Sequence, residues 1–302
     1  MATLYFNKYL NEYRWKIETD DNMLHCKLFI YFFVCYHWIN NNMSASAKDI
    51  SLEEYHKLVP TCTLEERGHR IRFYTPSPHV KALVDTIFVA EPETIDWISH
   101  FDPEDIYLNI GANIGLYSLW ATVSRHVQCY AFEPESLNYS ILTRNIIYND
   151  PGDRLIAYPA AIGDKSGFDQ LHLTIFEFGE TCHALGKKLN YANEPFEPVF
   201  SQGCYTTTID ELISSQTIPV PNHIKIDVDG IENKIIKGAR QTLKNPILRS
   251  LLIEVNGNSP RDISMIKDLE ALDFIPVSYP PSPLAPIDSI YNVVFKRNKP
   301  ET

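Results

Sequence analysis

The stretch Asn109-Ile110-Gly111-Ala112-Asn113-Ile114-Gly115 joins an apolar run at 105–110 (DIYLNI) to an amphipathic one at 114–123. The first run reads as a strand and the second as a helix, so the glycines occupy a strand-to-helix turn. Gly111 permits backbone angles closed to other residues and lets the chain pass close to a ligand, while Gly115 allows the helix to pack tightly on the strand. The glycines are three residues apart, so the pattern is not GxGxxG. No Gly-Lys-Ser/Thr follows, so it is not a phosphate-binding P-loop either. A dinucleotide pyrophosphate or a triphosphate is disfavoured. Taken alone, such a turn is equally well explained as a tight junction without a ligand.

Outward from that turn the pattern repeats. Strands are expected at 127–132, 155–162, 223–228 and 248–255, and helices at 136–148 (N-capped by Ser136), 209–214, 232–243 and 262–272. Two closing strands, 274–278 and 289–296, flank a connection with five prolines between 276 and 286, which must be extended. Alternating strands and helices with short loops predict an α/β fold: a doubly wound, mostly parallel sheet with a terminal hairpin that brings in one antiparallel strand. A segment at about 165–202 has short β-like pieces and interrupts the alternation as an insertion. Residues 1–90 lack the alternation and read as a helical extension with a small β-rich lead-in at 71–90, leaving 91–302 as the main domain.

In a doubly wound sheet, ligands sit beyond the carboxyl ends of the strands where strand order reverses. Glu133, in AFEP (131–134), ends the second strand about 20 residues past the glycine turn, where a carboxylate accepts hydrogen bonds from both hydroxyls of a ribose. In IKIDVDGIE (224–232), Asp227 and Asp229 alternate at a strand end, and Glu232 lies in the first turn of the next helix. Three carboxylates at the mouth of the sheet can hold a cation, favour a positively charged sulfonium cofactor or supply a general base. Glu232 is equally explained as a helix-terminus residue.

Composition narrows the partners. The 302 residues are 44% hydrophobic, enough for a full core, and carry 27 basic against 38 acidic residues, a formal charge of −11. With no long basic run, a general electrostatic grip on nucleic acid is not expected. Six cysteines without a CxxC pair indicate free thiols in a reducing, cytoplasmic setting rather than a zinc knuckle or a disulfide framework. The apolar run 28–39 (LFIYFFVCYHWI) is shorter than the roughly 20 residues of a spanning helix, and Glu12, Glu18, Asp20 and Asp21 spoil a signal-peptide leader. It is expected to be an N-terminal helix packed on the main domain, or an upstream extension if function starts at Met43.

Taken in order, NIGANIGLYSLWA (109–121), AFEPESLNYSILTRNIIYN (131–149), TIDEL (208–212), HIKIDVDGIENKIIKGA (223–239), SLLIEVN (250–256) and YNVVF (291–295) resemble the FkbM-type methyltransferases, over roughly 92–296. The family is named for an enzyme that O-methylates a macrolide. The resemblance implies the class I methyltransferase (Rossmann-like) fold, a seven-stranded sheet with an antiparallel final hairpin, and transfer of the methyl of S-adenosyl-L-methionine, usually to oxygen. It implies that Gly111, Ala112, Asn113 and Gly115 line the methionine side of that cofactor, that Glu133 holds its ribose and that Asp227 sits beside the transferred methyl. Asn109 and Ala161, at the ends of the first and third predicted strands, complete the expected cofactor-binding set. The family usually has aspartate where this chain has Asn109, whose amide is expected to bond the loop backbone without adding charge.

Methyl transfer from a sulfonium is an in-line displacement, so the protein must chiefly align the acceptor and exclude water. Asp227, or His183 in the inserted segment, is expected to take the proton of an acceptor hydroxyl, with Glu232 a third candidate; a similar histidine occurs in relatives of the family. His223 lies away from the mouth and reads as structural. The acceptor is expected to be a small molecule or a glycan hydroxyl, on a sugar, glycolipid or other metabolite. Two other readings stay open: a domain that binds the cofactor without catalysis, and a nicotinamide-dependent oxidoreductase, against which the missing GxGxxG and Tyr-xxx-Lys pair count.

Overall fold

The computed structural model describes residues 50–190, 194–277 and 290–298. By internal contacts the chain divides into 1–58 and 59–302. The described part of the first unit is a short helix α1 (Leu52–Lys57), opened by a capping box in which Glu54 N–H bonds Ser51 Oγ and Ser51 N–H bonds Glu54. The run 28–39 lies outside the described residues, as does most of the proline connection. Among the described residues no helix is long and apolar enough to cross a membrane. All four described cysteines, Cys62, Cys129, Cys182 and Cys204, are free.

The second unit opens with a hairpin, β1 (Thr61–Glu66) and β2 (His69–Tyr74), whose turn residues Arg67 and Gly68 both have positive φ, as a two-residue hairpin turn requires. Helices α2 (Pro78–Ala90) and α3 (Pro92–Ser99) follow. The lead-in expected to be β-rich at 71–90 is therefore helical beyond residue 77. Ser77 caps α2, Pro78 takes its first turn, and Val80, Val84 and Ile87 form its buried stripe. The core containing Ile71, Phe73, Val80 and Trp97 is continuous with Tyr107 and Cys129 of the sheet, so residues 59–90 belong to the main unit.

The main sheet comprises β3 (Ile106–Ile110), β4 (Gln128–Phe132), β5 (Leu155–Tyr158), β10 (His223–Ile226), β11 (Ser250–Asn256), β12 (Phe274–Val277) and β13 (Ile290–Arg297), in the order β12-β13-β11-β10-β3-β4-β5. All neighbouring pairs are parallel except those of β13, which runs antiparallel to both β11 and β12. This is the class I methyltransferase, Rossmann-like arrangement expected. Alternate residues face opposite layers: Tyr107, Ala131 and Leu252 join the core under α2, α3, α4 (Leu116–Arg125) and α5 (Ser136–Asn149). Leu108, Ile224 and Ile253 join the core under α6 (Ile209–Ser214), α7 (Glu232–Lys237) and α8 (Pro260–Glu270).

Four features differ from expectation. The strand expected at 155–162 breaks at Pro159, which has no N–H for a ladder: β5 ends at Tyr158, and β6 (Ala161–Ile162) joins a second sheet. That sheet, ordered β6-β9-β7-β8, contains β7 (Gly167–Leu173), β8 (Ala184–Leu185) and β9 (Phe200–Thr207), so the inserted segment is an ordered β layer reaching to Thr207. The helix expected at 232–243 stops at Gly238, where an added Cβ would lie 2.2 Å from the Gly163 carbonyl oxygen. The chain then restarts as a 3₁₀ turn at Thr242–Lys244, whose first N–H groups bond Asp210. The cap of α5 is Glu135, not Ser136: its carboxylate accepts from Leu137 N–H at 3.0 Å and Asn138 N–H at 2.7 Å.

Candidate active site

The chain reverses direction across the sheet between β3 and β10, and the loops leaving these strands touch. At Gly111, φ is +79° and an added Cβ would lie 1.8 Å from the Asp227 carbonyl oxygen. The glycine is thus required by the neighbouring loop, independently of any ligand. Gly111 and Ala112 N–H both bond the Phe132 carbonyl at 3.0 Å, fixing the turn to β4. Gly115, with φ +88°, packs against Leu142 of α5, which a Cβ would approach to 2.5 Å. It presses on a helix rather than a strand, and it does not line the cavity described below.

A cleft of about 300 Å³ opens at this point, walled by Ile110–Asn113, Phe132–Pro134, Ala160–Ile162 and 227–229, with α2 and the inserted segment completing it. Of the expected residues it brings together Gly111, Ala112, Asn113, Glu133, Ala161, Asp227 and His183. Asn109, Gly115 and Glu232 stand outside it. The Asn109 side chain is buried beneath the turn, donates to Ser118 Oγ of α4 at 2.8 Å and leaves its carbonyl oxygen without a partner; it does not bond the loop backbone. Glu232 turns inward to accept from Val228 and Gly230 N–H, both at 3.1 Å, so it holds the loop after β10 and faces away from the cleft. His223 is structural as expected, stacked on Phe101 and bonded to Ser250 and Asp105.

Glu133 is 6% exposed. One carboxyl oxygen accepts Asn113 N–H and the other Glu135 N–H, each at 2.8 Å, which fixes the group while leaving each oxygen a free lone pair. Burial pushes its pKa up to about 7 against those two hydrogen bonds. Asn113, itself at positive φ, donates its amide to Gly179 O at 3.2 Å, and Cys182 N–H bonds Asp229 at 2.7 Å, so the inserted segment is tied across the cleft. His183 is half-buried and its imidazole is held below 6.5, mainly by burial.

Among the cleft residues that escaped the sequence reading are Glu91, Tyr117, Lys225 and Glu254. Lys225 is 2% exposed; its ammonium pairs with Asp227 and with Glu91 at 3.3 Å, and stands 5.1 Å from the centre of the Tyr117 ring. Burial opposes its charge, but Asp227 and Glu91 outweigh burial and raise the pKa. The available signal was a charged residue inside an otherwise apolar strand, in IKI (224–226) and in LIEV (252–255), since such charges are rarely buried without a partner or a role. In all, Glu91, Glu133, Glu180, Asp227, Asp229 and Glu254 surround the cleft against one lysine. Burial, with Asp227 next, lifts Asp229 to about 6, and burial raises Glu91 and Glu254 as well. Such a cleft favours a cationic occupant. Among the described residues no group of His, Cys, Asp and Glu is arranged to hold a metal ion.

The hexuronic acid methyltransferase AglP of Haloferax volcanii is 25% identical over 166 residues, 55% of this chain and 62% of that one. The crystal structure of methyltransferase FkbM from Methylobacillus flagellatus aligns with a TM-score of 0.46 and 16% identity, over 72% of this chain and 51% of that one. TYW2 of M. jannaschii in complex with AdoMet aligns at a TM-score of 0.38 and 11% identity, over 79% of this chain and 87% of that one. The chain thus spans less than two thirds of the first two proteins. The Methyltransferase FkbM domain matches residues 109–275, more than half of the chain, and the protein belongs to that family.

Proposed function

We propose that the protein is an S-adenosylmethionine-dependent O-methyltransferase acting on a hydroxyl of a sugar or other small polyhydroxylated metabolite. The observation that carries this reading is the pinned Glu133 carboxyl beside the glycine turn, in a cleft whose acidic lining suits a sulfonium cation. When bound, the cofactor supplies an electrophilic methyl on positively charged sulfur. Glu133 would hold its ribose hydroxyls, and Ala112 and Asn113 its methionine side. Ala161 and Phe132 would flank the base. The sugar acceptor is supported by the hexuronic acid named for the Haloferax relative, and the family supports methyl transfer.

Two groups are suited to the acceptor end. Asp227 is held by Lys225 and lines the cleft, so it orients a hydroxyl by accepting its hydrogen bond. His183 closes the cleft from the inserted segment, and with its pKa lowered by burial the ring is neutral at pH 7 and takes the hydroxyl proton as the methyl departs to oxygen. Glu232 has no such role, because it faces the loop backbone. Transfer of labelled methyl from S-adenosylmethionine to a panel of hydroxylated acceptors tests the reading. Asp227→Ala and His183→Ala are each expected to lower turnover by about 10²–10⁴-fold, the usual range for positioned acid–base groups. At saturating cofactor the wild-type rate is expected to fall as pH drops below 6.5, and His183→Ala to lose that inflection. Full activity in both variants would refute the assignment.

A further inference from the structure

The segment between β7 and β8, residues 174–183, crosses the cleft as a strap and carries His183 at its far end. Packing fixes its outer side. Phe178 joins the core that holds Val80 and Val84, and Gly179, at φ +85°, stands so close to α2 that an added Cβ would lie 3.0 Å from Leu83 and 3.1 Å from Val80. The side facing the cleft is held by Asn138, in the first turn of α5 and 2% exposed. Its Oδ1 accepts Gly179 N–H at 2.8 Å and its Nδ2 donates to the Glu180 carbonyl at 2.9 Å, so a single amide spans the Gly179–Glu180 peptide. Both partners are backbone atoms, which makes the clasp indifferent to the side chains of the strap. Asn113 adds its amide to Gly179 O at 3.2 Å, and Asp229 holds Cys182 N–H at 2.7 Å. His183 is the next residue, and beyond it β8 contributes only the register pairs Leu171↔Leu185 and His172↔Ala184. So short an edge strand fixes a side chain weakly, and the place of the imidazole over the cleft depends on where the strap is pinned.

Resting on the reading of His183 as proton acceptor above, we infer that Asn138 is a positioning residue that holds the strap closed and so sets His183 over the acceptor. Asn138 borders the cleft, but its amide is turned to the strap. Without that amide, Gly179 N–H and the Glu180 carbonyl lose their partner where water reaches poorly, and the strap lifts to hydrate them. His183 then leaves the burial that holds its imidazole below 6.5 against the opposing pull of Glu135.

The test uses the full chain. In an NMR titration of the histidines, with His183 assigned by its loss in His183→Ala, its midpoint is expected to rise toward 6.5 in Asn138→Ala while that of the buried His223 stays in place. Asn138→Asp keeps the volume and the acceptor for Gly179 but loses the donor to Glu180, and is expected to shift His183 in the same direction; melting temperatures confirm that both variants are folded. Hydrogen exchange at the amides of residues 179–182 is expected to quicken about tenfold or more in both, the scale of one lost buried hydrogen bond. An unmoved His183 midpoint or unchanged exchange in Asn138→Ala would overturn the inference. The kinetic counterpart uses the acceptor methylated in the panel above. There Asn138→Ala is expected to lower kcat about tenfold or more, and the double variant with His183→Ala to be no slower than His183→Ala alone. Penalties that multiply would also overturn the inference. Full activity of His183→Ala, or no methyl transfer by the wild type, with the titration and exchange shifts as expected, would instead overturn the functional reading on which it rests.

Discussion

At the scale of single residues, the site is built on backbone constraints as much as on functional groups. Gly111 was legible as a special position, but the reason was not: the sequence pattern suggested room for a ligand, whereas the crowding partner is the Asp227 carbonyl, 1.8 Å from where a Cβ would stand. Replacing Gly111 by alanine is therefore expected to push the β3 and β10 loops apart. The combined strain of positive φ and overpacking puts the cost at about 2–4 kcal/mol, read as a lower midpoint in denaturant unfolding. An unchanged midpoint would show that the two loops have slack. Asn109 and Glu232 carried the right residue types in the right motif yet point away from the cleft, since a spacing rule places a residue on an element without saying which way its side chain turns. Lys225 and Glu254 show the converse. Each was visible as a charge in an apolar strand, but its surroundings are not local: Lys225 reaches Glu91 at the junction of α2 and α3, and Glu254 is brought beside Asp227 by the pairing of β10 with β11.

At the scale of elements, apolar alternation located every strand of the main sheet, and its errors have identifiable causes. Pro159, which has no N–H for the ladder, ended a strand that the apolar pattern carried onward, and Gly238 ended a helix where the Gly163 backbone approaches it closely. Helix α2 was missed although Ser77-Pro78 and the stripe Val80, Val84, Ile87 announce it, because the β-branched and aromatic residues crowded into 71–90 favour strand by propensity. The start of α5 was read correctly but its cap one residue late, since glutamate is an uncommon cap and serine a favoured one. Because the Glu135 carboxylate accepts two N–H groups, Glu135→Ala is expected to cost about 1–2 kcal/mol. Differential scanning calorimetry is expected to show a melting temperature lower by several degrees. A shift within error would return the cap to another group.

At the scale of the whole molecule, strand order concentrates unpaired strand ends and acidic side chains at one rim, and folding must bury several carboxyls there. Glu232 is 3% exposed with a pKa pushed up to about 7 by burial, from an ordinary 4.5. Since the folded value is the higher, its stabilising contribution is full below pH 4.5 and is lost as pH rises through 7. Glu232→Gln keeps an oxygen for Val228 and Gly230 and cannot ionise. Between pH 5 and pH 8 the variant is thus expected to gain about 3 kcal/mol relative to wild type. Melting temperatures at the two pH values read this directly, and a constant gap would contradict it. The same acidic rim is the reason a cationic cofactor fits, and binding of that cofactor is the central claim. Isothermal titration calorimetry of S-adenosylmethionine into the full chain at pH 8, where Glu133 with its pKa near 7 is mostly ionised, tests it most directly. One-to-one binding weakened at least tenfold by Glu133→Ala is the expected result; no binding, or binding indifferent to that substitution, would contradict it.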